Sequence, residues 1–327
     1  MSSPQRDSGV RAGRAIPSGA RTGMARRLVE LPPHQIPAAE NWFTYGSRTP
    51  RAARRASSVC LVQDGAHGVE TFLGYRSGES PLGSVAFPGG SVEVGDRAEY
   101  RWFGPNLTWW SKRLDVLDQQ LVRVHLVCAI RELFEETGIL LAGTDEQSVI
   151  EMTDPEEWMS AREAIAGQDL EFAEFLRRRG LGLRTDLLRP VAHWVSPNFA
   201  FRRFDTWYFA ATVPLRQEPS LLRAKGQWAQ WCSTEQIIEQ RATSGLGDLI
   251  GQPDTQGLRL SQITSPAVEL MLERMVDAHG VVAYLSRARS LDVQHPDLLV
   301  RDGTYYLEVL GTLGDESTRP WQAEPGH

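Results

Sequence analysis

The chain has 327 residues, 41% of them hydrophobic, and a formal net charge of −6. This length allows a full hydrophobic core in one or two domains, and the negative net charge argues against a general nucleic-acid-binding protein. No run of 18 apolar residues occurs, so we expect no membrane span.

The N-terminal segment carries most of the positive charge. Residues 1–55 contain ten arginines and three acidic residues, so this segment is about +7 and the remainder about −13. Residues 1–26 are rich in Arg, Ser, Gly and Ala and lack hydrophobic periodicity. Such a composition also occurs in mitochondrial transit peptides. We favour disorder and predict a disordered or extended segment over residues 1–53.

Cysteine usage bears on the compartment in which the protein works. Cys60, Cys128 and Cys232 are odd in number and are not clustered in the sequence. Isolated thiols of this kind indicate a reducing environment and argue against a zinc site. We therefore expect a cytoplasmic protein.

Two strands and a glycine-rich loop open the folded region. The apolar runs 57–63 and 69–76 predict a buried strand and its partner, with a turn between them. The next apolar run ends in Phe87-Pro88-Gly89-Gly90. Glycines at this point let the backbone approach a phosphate or a metal, because no Cβ stands in the way.

An aromatic stretch then leads into a long helix. Residues 97–120 contain several tryptophans and predict an aromatic loop and a helix that pack against the flank of the domain. Residues 121–136 have the apolar periodicity of an amphipathic helix. Gly138 is the residue type that most often ends a helix in the left-handed conformation.

Three carboxylates share one face of this long helix. Glu132, Glu135 and Glu136 are spaced i, i+3 and i+4. Like charges near a helix C-terminus repel one another and oppose the helix dipole. Mg2+, which takes oxygen ligands, would relieve this repulsion, and Arg131 could orient Glu135. A solvated acidic face explains the three glutamates equally well.

Upstream residues complete a longer pattern. Gly90 is followed at the sixth position by Asp96, and the run Arg131 to Ile139 comes later. Together they resemble Gly-x5-Glu-x7-Arg-Glu-U-x-Glu-Glu-x-Gly-U (U, a bulky aliphatic residue), which is the Nudix box of Nudix hydrolases. The chain departs from this pattern in two ways. Asp96 replaces a glutamate, and 34 residues rather than seven separate it from Arg131.

The later elements are compatible with the fold that this resemblance implies, an α/β/α sandwich with a mixed sheet. Residues 153–180 predict two short helices that could form either a lid or a structural flank. Further elements are then expected in chain order. They are strands over 187–196, 203–213 and 227–232, helices over 234–241 and 264–278, and a hairpin at Asp302-Gly303.

These elements define the expected domain organisation. We predict a Nudix hydrolase domain over residues 54–245, with an insertion at 97–120 and a helical insert at 150–182. A C-terminal extension is expected over residues 246–327. No internal repeat is visible in the sequence.

Two other segments bear on the substrate. The run Leu188 to Pro197, the motif Arg202-Arg203-Phe204-Asp205-Thr206 and the insertion inside the box together resemble the peroxisomal coenzyme A diphosphatases. Arg76-Ser77 ahead of Phe87-Pro88-Gly89-Gly90 matches part of a motif in other CoA-cleaving Nudix enzymes, although an arginine is missing and the spacing is shorter. Arg203 could also simply pair with Asp205 on its strand.

The resemblance implies metal-dependent hydrolysis of a nucleoside diphosphate linked to another moiety, and we favour coenzyme A or acyl-CoA. It implies one to three Mg2+ or Mn2+ ions on the three glutamates, with the backbone near Gly89 and Gly90 as a further ligand. Asp96 would act on the metal shell through water. Residues 223–231 lack an acidic residue, so either a box glutamate, with Glu135 a candidate, or metal-bound hydroxide is the base.

The expected roles of the site residues follow from the resemblance. The catalytic residues are Glu135, Glu132 and Arg131, the metal ligands are Glu132, Glu135 and Glu136, the loop and supporting residues are Gly89, Gly90 and Asp96, and the substrate-binding arginines are Arg76, Arg202 and Arg203. Alternatives are another substrate, such as a nucleotide sugar, a dinucleotide or capped RNA, and a non-catalytic ligand-sensing module. The expected partner is a nucleotide-derived small molecule, without membrane or nucleic acid, and a homodimer is possible.

Overall fold

The computed structural model describes residues 24–45, 49–77, 83–152, 154–222 and 226–312. The strands are β1 Met24–Glu30, β2 Arg54–Gly65, β3 Gly68–Tyr75, β4 Val85–Ala86, β5 Gly89–Ser91, β6 Trp102–Phe103, β7 Ala142–Gly143, β8 Gly182–Arg184, β9 Arg189–Val195, β10 Phe204–Thr212, β11 Ala229–Ser233, β12 Val293–Gln294, β13 Asp297–Arg301 and β14 Thr304–Thr312. The helices are α1 Ile36–Thr44, α2 Leu107–Leu114, α3 Gln119–Thr137, α4 Pro155–Ala166, α5 Phe172–Arg178, α6 Thr234–Glu239, α7 Gly245–Ile250, α8 Leu260–Ile263, α9 Pro266–Val276 and α10 Val281–Ser286.

The central sheet is mixed. Among the described residues its strand order is β11-β3-β2-β10-β9-β12, with β4 beside β3 and β5 beside β2. β2 pairs with β10 in parallel, whereas β2 with β3 and β10 with β9 are antiparallel. Antiparallel pairing of β5 with β2 places the glycines of the loop against the middle of the sheet.

Helices cover both faces of this sheet, which confirms the predicted α/β/α sandwich. Side chains along a strand alternate between the two faces. Val59 and Leu61 of β2 join the hydrophobic core that contains the apolar residues of α3. Cys60 and Val62 join the opposite core, which contains the apolar residues of α9. The box helix and the C-terminal extension therefore lie on opposite sides of the sheet.

The long helix α3 is capped at both ends. The Asp118 side chain accepts hydrogen bonds from the first turn, at 2.9 Å from the Gln120 nitrogen. Gly138 has a φ of +80° and donates to the Phe134 carbonyl, so the helix ends where the sequence predicts. In the described part of the chain, neither α3 nor any other helix has the length and apolarity needed to cross a membrane.

The helical pair α4 and α5 packs as a structural flank. Phe134 of α3 stacks on Phe175 with ring centroids 5.4 Å apart, and Trp158 meets Phe134 edge-on at 6.4 Å. A small sheet joins the insertion to this pair, because β8 pairs with β6 in parallel and with β7 antiparallel. The two inserted segments therefore share one core with the box helix.

Residues 24–45 are ordered as a strand and a helix, which differs from the expected disordered or extended segment. β1 pairs along β14 in an antiparallel ladder, so it depends on a strand near the other end of the chain. Arg27 pairs with Glu269 and Glu273 of α9, at 2.7 and 2.5 Å. Part of the N-terminal arginine charge thus neutralises acidic residues of the extension. Residues 1–23 and 313–327 lie outside the described residues.

The C-terminal hairpin has the predicted turn. β13 and β14 are joined through Asp302 and Gly303, with φ values of +49° and +81°. Positive φ at both central residues is the requirement of a type I′ turn, which Asp-Gly meets. Together with β1 these strands form a separate three-stranded sheet.

Adjacent tryptophans in α2 provide a test of whether the insertion belongs to the core. Trp110 is 1% exposed and packs edge-on against Phe209 of the central sheet, whereas Trp109 is 48% exposed. We predict that Trp110→Ala lowers the free energy of unfolding by about 3–5 kcal/mol, and that Trp109→Ala changes it by less than about 1 kcal/mol. Urea denaturation measures both, and equal losses would contradict the packing described.

Candidate active site

Arg131 is the centre of the box. Its Nε and Nη2 donate to the two carboxylate oxygens of Asp96, at 2.8 and 3.1 Å. Its Nη1 donates to Oε1 of Glu132 at 2.8 Å and to Oε1 of Glu135 at 2.9 Å. One guanidinium group therefore holds three carboxylates, two from its own helix and one from before the insertion.

Asp96 reaches Arg131 in spite of the 34 intervening residues. It lies in a short 3-10 turn, Gly95–Arg97, that follows β5, and it is fully buried. Its Oδ2 also accepts a hydrogen bond from the Glu93 backbone nitrogen at 2.8 Å. Asp96 therefore contacts the box arginine directly, whereas the sequence predicts an effect on the metal shell through water.

The electrostatics of Arg131 follow from its position. Burial by itself lowers the pKa of this guanidinium, but the hydrogen bonds to Asp96 and the charges of Glu132 and Asp96 outweigh that effect. The net result is a raised pKa, so Arg131 stays charged at every accessible pH. It functions as a fixed cation inside the box.

A second guanidinium group, that of Arg76, lies on the outer carboxylate. Arg76 Nη2 contacts both carboxylate oxygens of Glu136, at 3.1 and 3.0 Å. The same nitrogen donates to the carbonyls of Gly89 and Phe87. Glu136 also accepts from the Gly89 backbone nitrogen at 2.9 Å. Arg76 thus contacts two groups that the sequence analysis predicts as metal ligands, the Glu136 carboxylate and the backbone at Gly89.

The two loop glycines are required by close approaches of other groups. A Cβ on Gly90 would lie 2.5 Å from Oε1 of Glu132, so only glycine lets that carboxylate lie against the loop. A Cβ on Gly89 would lie 2.4 Å from the Ser57 carbonyl in the neighbouring strand. The glycines therefore let the loop fit between the Glu132 carboxylate and strand β2.

Arg162 of α4 is a residue that the sequence analysis missed. It is 1% exposed, and its Nε donates to the Glu135 carbonyl at 2.8 Å near the C-terminus of α3. Its other nitrogens bond to the side chain and carbonyl of Ser220. Burial lowers the pKa of Arg162 to about 10, although the charges of Glu136 and Glu135 oppose the shift. A cation here offsets the helix dipole beneath the glutamates.

The two arginines of the Arg202-Arg203 motif are placed differently from each other. Arg203 donates to the carbonyls of Ser196 and Arg51 and to the Asn198 side chain, so it links the segment before β2 to the loop between β9 and β10. It does not pair with Asp205, which instead bonds to His193 at 2.6 Å. Arg202 is exposed. The structure brings Arg76 to the box carboxylates, whereas Arg203 contacts oxygen atoms outside the box.

The oxygen atoms of the box suit a hard divalent cation. Both Glu136 carboxylate oxygens and the Gly89 carbonyl converge on one nitrogen of Arg76, which shows that this position attracts a cation. All-oxygen donor sets are those that Mg2+ and Mn2+ prefer. As arranged here, no group of three His, Cys, Asp or Glu side chains within the described ranges could hold a metal. The oxygen donors of the box fit Mg2+ or Mn2+, and the guanidinium groups of Arg76 and Arg131 lie among these donors.

The charge balance of the box also favours the binding of a cation. Five carboxylates surround two guanidinium groups, which leaves an excess of negative charge. They are Glu93, Asp96, Glu132, Glu135 and Glu136 around Arg76 and Arg131.

Comparison with solved structures identifies the fold. A NUDIX hydrolase from Alicyclobacillus acidocaldarius matches with a TM-score of 0.51 and 22% identity, over 72% of this chain and 96% of that one. This chain has the fold of Nudix hydrolases. The MutT protein from Bacillus halodurans matches at a TM-score of 0.32 and 11% identity, over 78% and 97%. A C. elegans Ap4A hydrolase in a binary complex matches at 0.27 and 15%, over 60% and 92%.

Comparison of sequences adds nothing to this result. No protein-family model matches the chain, and no curated protein matches it. The roles of individual residues therefore stay predictions, and they depend on the geometry described above.

The Arg131–Asp96 pair can be tested through stability. Removing one partner of a buried ion pair leaves the other charge uncompensated, so we expect Asp96→Ala to lower the free energy of unfolding by about 3–5 kcal/mol. The matched control is Glu151→Ala, because Glu151 pairs with Arg216 at 2.6 Å on the surface. That change should have an effect below about 1 kcal/mol. If chemical denaturation shows the same loss of stability in both variants, the buried Asp96–Arg131 ion pair does not stabilise the fold as described.

Proposed function

We propose that the protein hydrolyses a diphosphate bond in a nucleoside diphosphate linked to another moiety, in a reaction that depends on Mg2+ or Mn2+. The observation that carries this proposal is the convergence of box oxygens on cationic nitrogens, with Arg131 fixing three carboxylates. A solvated acidic face would not bury Glu132 and Glu135, which are 6% and 3% exposed. The Nudix fold is consistent with this chemistry.

The proposed chemistry divides between the ion and the protein. Glu132, Glu135, Glu136 and the Gly89 carbonyl would hold the cation. When bound, the cation would neutralise the diphosphate and lower the pKa of a coordinated water. Water adds to one phosphorus as the bridging P–O bond breaks, and the departing phosphate leaves in line.

The protein's own residues position this reaction. Arg131 holds Glu132 and Glu135 at 2.8 and 2.9 Å, so their carboxylates need little reorganisation when substrate arrives. We assign Glu135 as the group that accepts the proton of the attacking water. Arg162 fixes the backbone of Glu135 from the opposite side.

Coenzyme A or acyl-CoA is the substrate that we propose within this class. Strands β2 and β10 pair in parallel from Arg54 and Phe204 onwards, so their first residues lie side by side at one end of the sheet. Four exposed arginines lie at this end and form a basic patch: Arg51, Arg54, Arg55 and Arg202. The Val92 nitrogen donates to the Arg55 carbonyl, which connects the basic patch to the box loop. Such a patch suits a substrate that carries a further phosphate beyond the diphosphate.

Within this account we assign Arg202 to substrate binding and Arg203 to holding the loop. The guanidinium of Arg203 is engaged by carbonyl oxygens, whereas Arg202 is exposed. A cytoplasmic location and a homodimer also stay predictions. Cys60, Cys128 and Cys232 are buried free thiols, which is compatible with a reducing compartment.

A substrate panel tests the proposed activity. The protein is incubated with Mg2+ or Mn2+ and CoA, acyl-CoA, NADH, ADP-ribose or dinucleoside polyphosphates, and products are separated by chromatography. We expect cleavage of CoA at its diphosphate. Preferential cleavage of another compound would retain the reaction class and replace the substrate. Binding without turnover of any compound would favour the ligand-sensing module.

Glu135→Gln tests the assignment of the site residues. The amide is nearly isosteric but cannot bind a cation as a carboxylate or accept a proton, so we predict a loss of kcat of at least about 100-fold. Circular dichroism should show an intact fold. The control is Glu146→Gln, since Glu146 is exposed and outside the box. Activity like that of the wild type in Glu135→Gln would show that this carboxylate takes no part.

A further inference from the structure

Arg76 makes an unusual set of contacts for a substrate-binding residue. Its Nη2 lies among the two Glu136 carboxylate oxygens and the carbonyls of Gly89 and Phe87, all of which accept from it. The Arg76 and Glu136 side chains are 23% and 22% exposed, so water reaches the pair only in part. These acceptors include the oxygens through which Glu136 and Gly89 would hold a divalent ion.

A guanidinium nitrogen and a divalent cation cannot occupy the same place. An ion held by Glu136 and the Gly89 carbonyl together would lie where their oxygens converge, and Nη2 of Arg76 lies there, at 3.1 and 3.0 Å from the two carboxylate oxygens. The ion pair must therefore open before the cation binds. When the binding-competent form is only a fraction of the population, the apparent Kd rises in inverse proportion to that fraction.

We propose that Arg76 is the counter-cation of the metal-free box, and that a divalent cation displaces it from Glu136 and the Gly89 carbonyl. This inference rests on the proposed function, because it concerns the metal that the function requires. It gives Arg76 a positioning role: it stabilises an excess of carboxylates until the ion arrives. After displacement its charge lies beside the site, where it can bind the substrate's diphosphate.

The difference between the two arginines explains why Arg76 and not Arg131 would be exchanged. Arg131 is 3% exposed and bonds to Asp96 through two nitrogens, in addition to Glu132 and Glu135. Arg76 approaches its acceptors through one nitrogen from a partly exposed position. Removing Arg131 from its site would leave Asp96 buried without compensation, whereas Arg76 can move into solvent.

The test measures binding of Mn2+ alone to the full chain, without substrate. Free Mn2+ is followed by electron paramagnetic resonance during titration of the wild type, Arg76→Gln, Arg76→Lys and Arg216→Gln. We expect Arg76→Gln to bind Mn2+ about tenfold more tightly than the wild type, which corresponds to ~1.4 kcal/mol. Arg76→Lys keeps a charge but has a different donor geometry, and should give an intermediate Kd.

Arg216→Gln is the matched control. It removes an arginine that pairs with an exposed glutamate, Glu151, outside the box. Its Mn2+ affinity should equal that of the wild type. A second readout is thermal unfolding. Without metal, Arg76→Gln should melt below the wild type because Glu136 loses its ion pair with Arg76, and Mn2+ should stabilise the variant more than it stabilises the wild type.

The outcomes distinguish a failure of the Arg76 displacement from a failure of the proposed metal-dependent hydrolysis. Tighter Mn2+ binding in Arg76→Gln, with an unchanged control, supports displacement. Equal or weaker binding in Arg76→Gln overturns it, while Mn2+ bound by the wild type leaves the proposed function standing. Failure of every protein, including Arg76→Gln, to bind Mn2+ overturns both.

Discussion

The site depends on one buried cation. Arg131 bonds to Asp96, Glu132 and Glu135. Without it, three buried carboxylates would lie close together with no positive charge between them. Their repulsion makes the site a place where further positive charge is stabilised. Arg76 compensates part of this negative charge at Glu136, and a divalent ion would compensate more of it. The acidic helix face is therefore part of a charge network and is not a solvated surface.

The rest of the fold holds this network in place. The inserted residues ahead of α3 pack on the flank of the domain, where Trp110 contacts Phe209 of the central sheet, and Asp96 still meets Arg131. The later helical insert packs around Phe134 and supplies Arg162 to the end of the box helix. Both inserted segments thus share the hydrophobic core that contains the apolar residues of α3. The insertion therefore does not prevent the contact between Asp96 and Arg131.

Local patterns predicted the local parts of this structure. Periodicity and Gly138 located α3, and the motif linked Asp96 to Arg131 across the insertion. Other contacts between residues far apart in the sequence gave no such signal. Arg76 and Glu136 are 60 residues apart, and a single arginine in an amphipathic helix, as Arg162 is, looks like a surface residue. The two- and three-residue strands β6, β7 and β8 are too short to show periodicity. Strand β1 is held by a ladder with β14 and by the pairing of Arg27 with α9, neither of which is visible locally.

The central claim is that the box directs water onto one phosphorus of a diphosphate with the help of a divalent cation. Hydrolysis of CoA in 18O-enriched water, with products analysed by mass spectrometry, tests it most directly. We expect one 18O atom in one of the two phosphate-bearing products, and no reaction after chelation with EDTA. Cleavage that continues unchanged in EDTA, or products without 18O, would contradict the account.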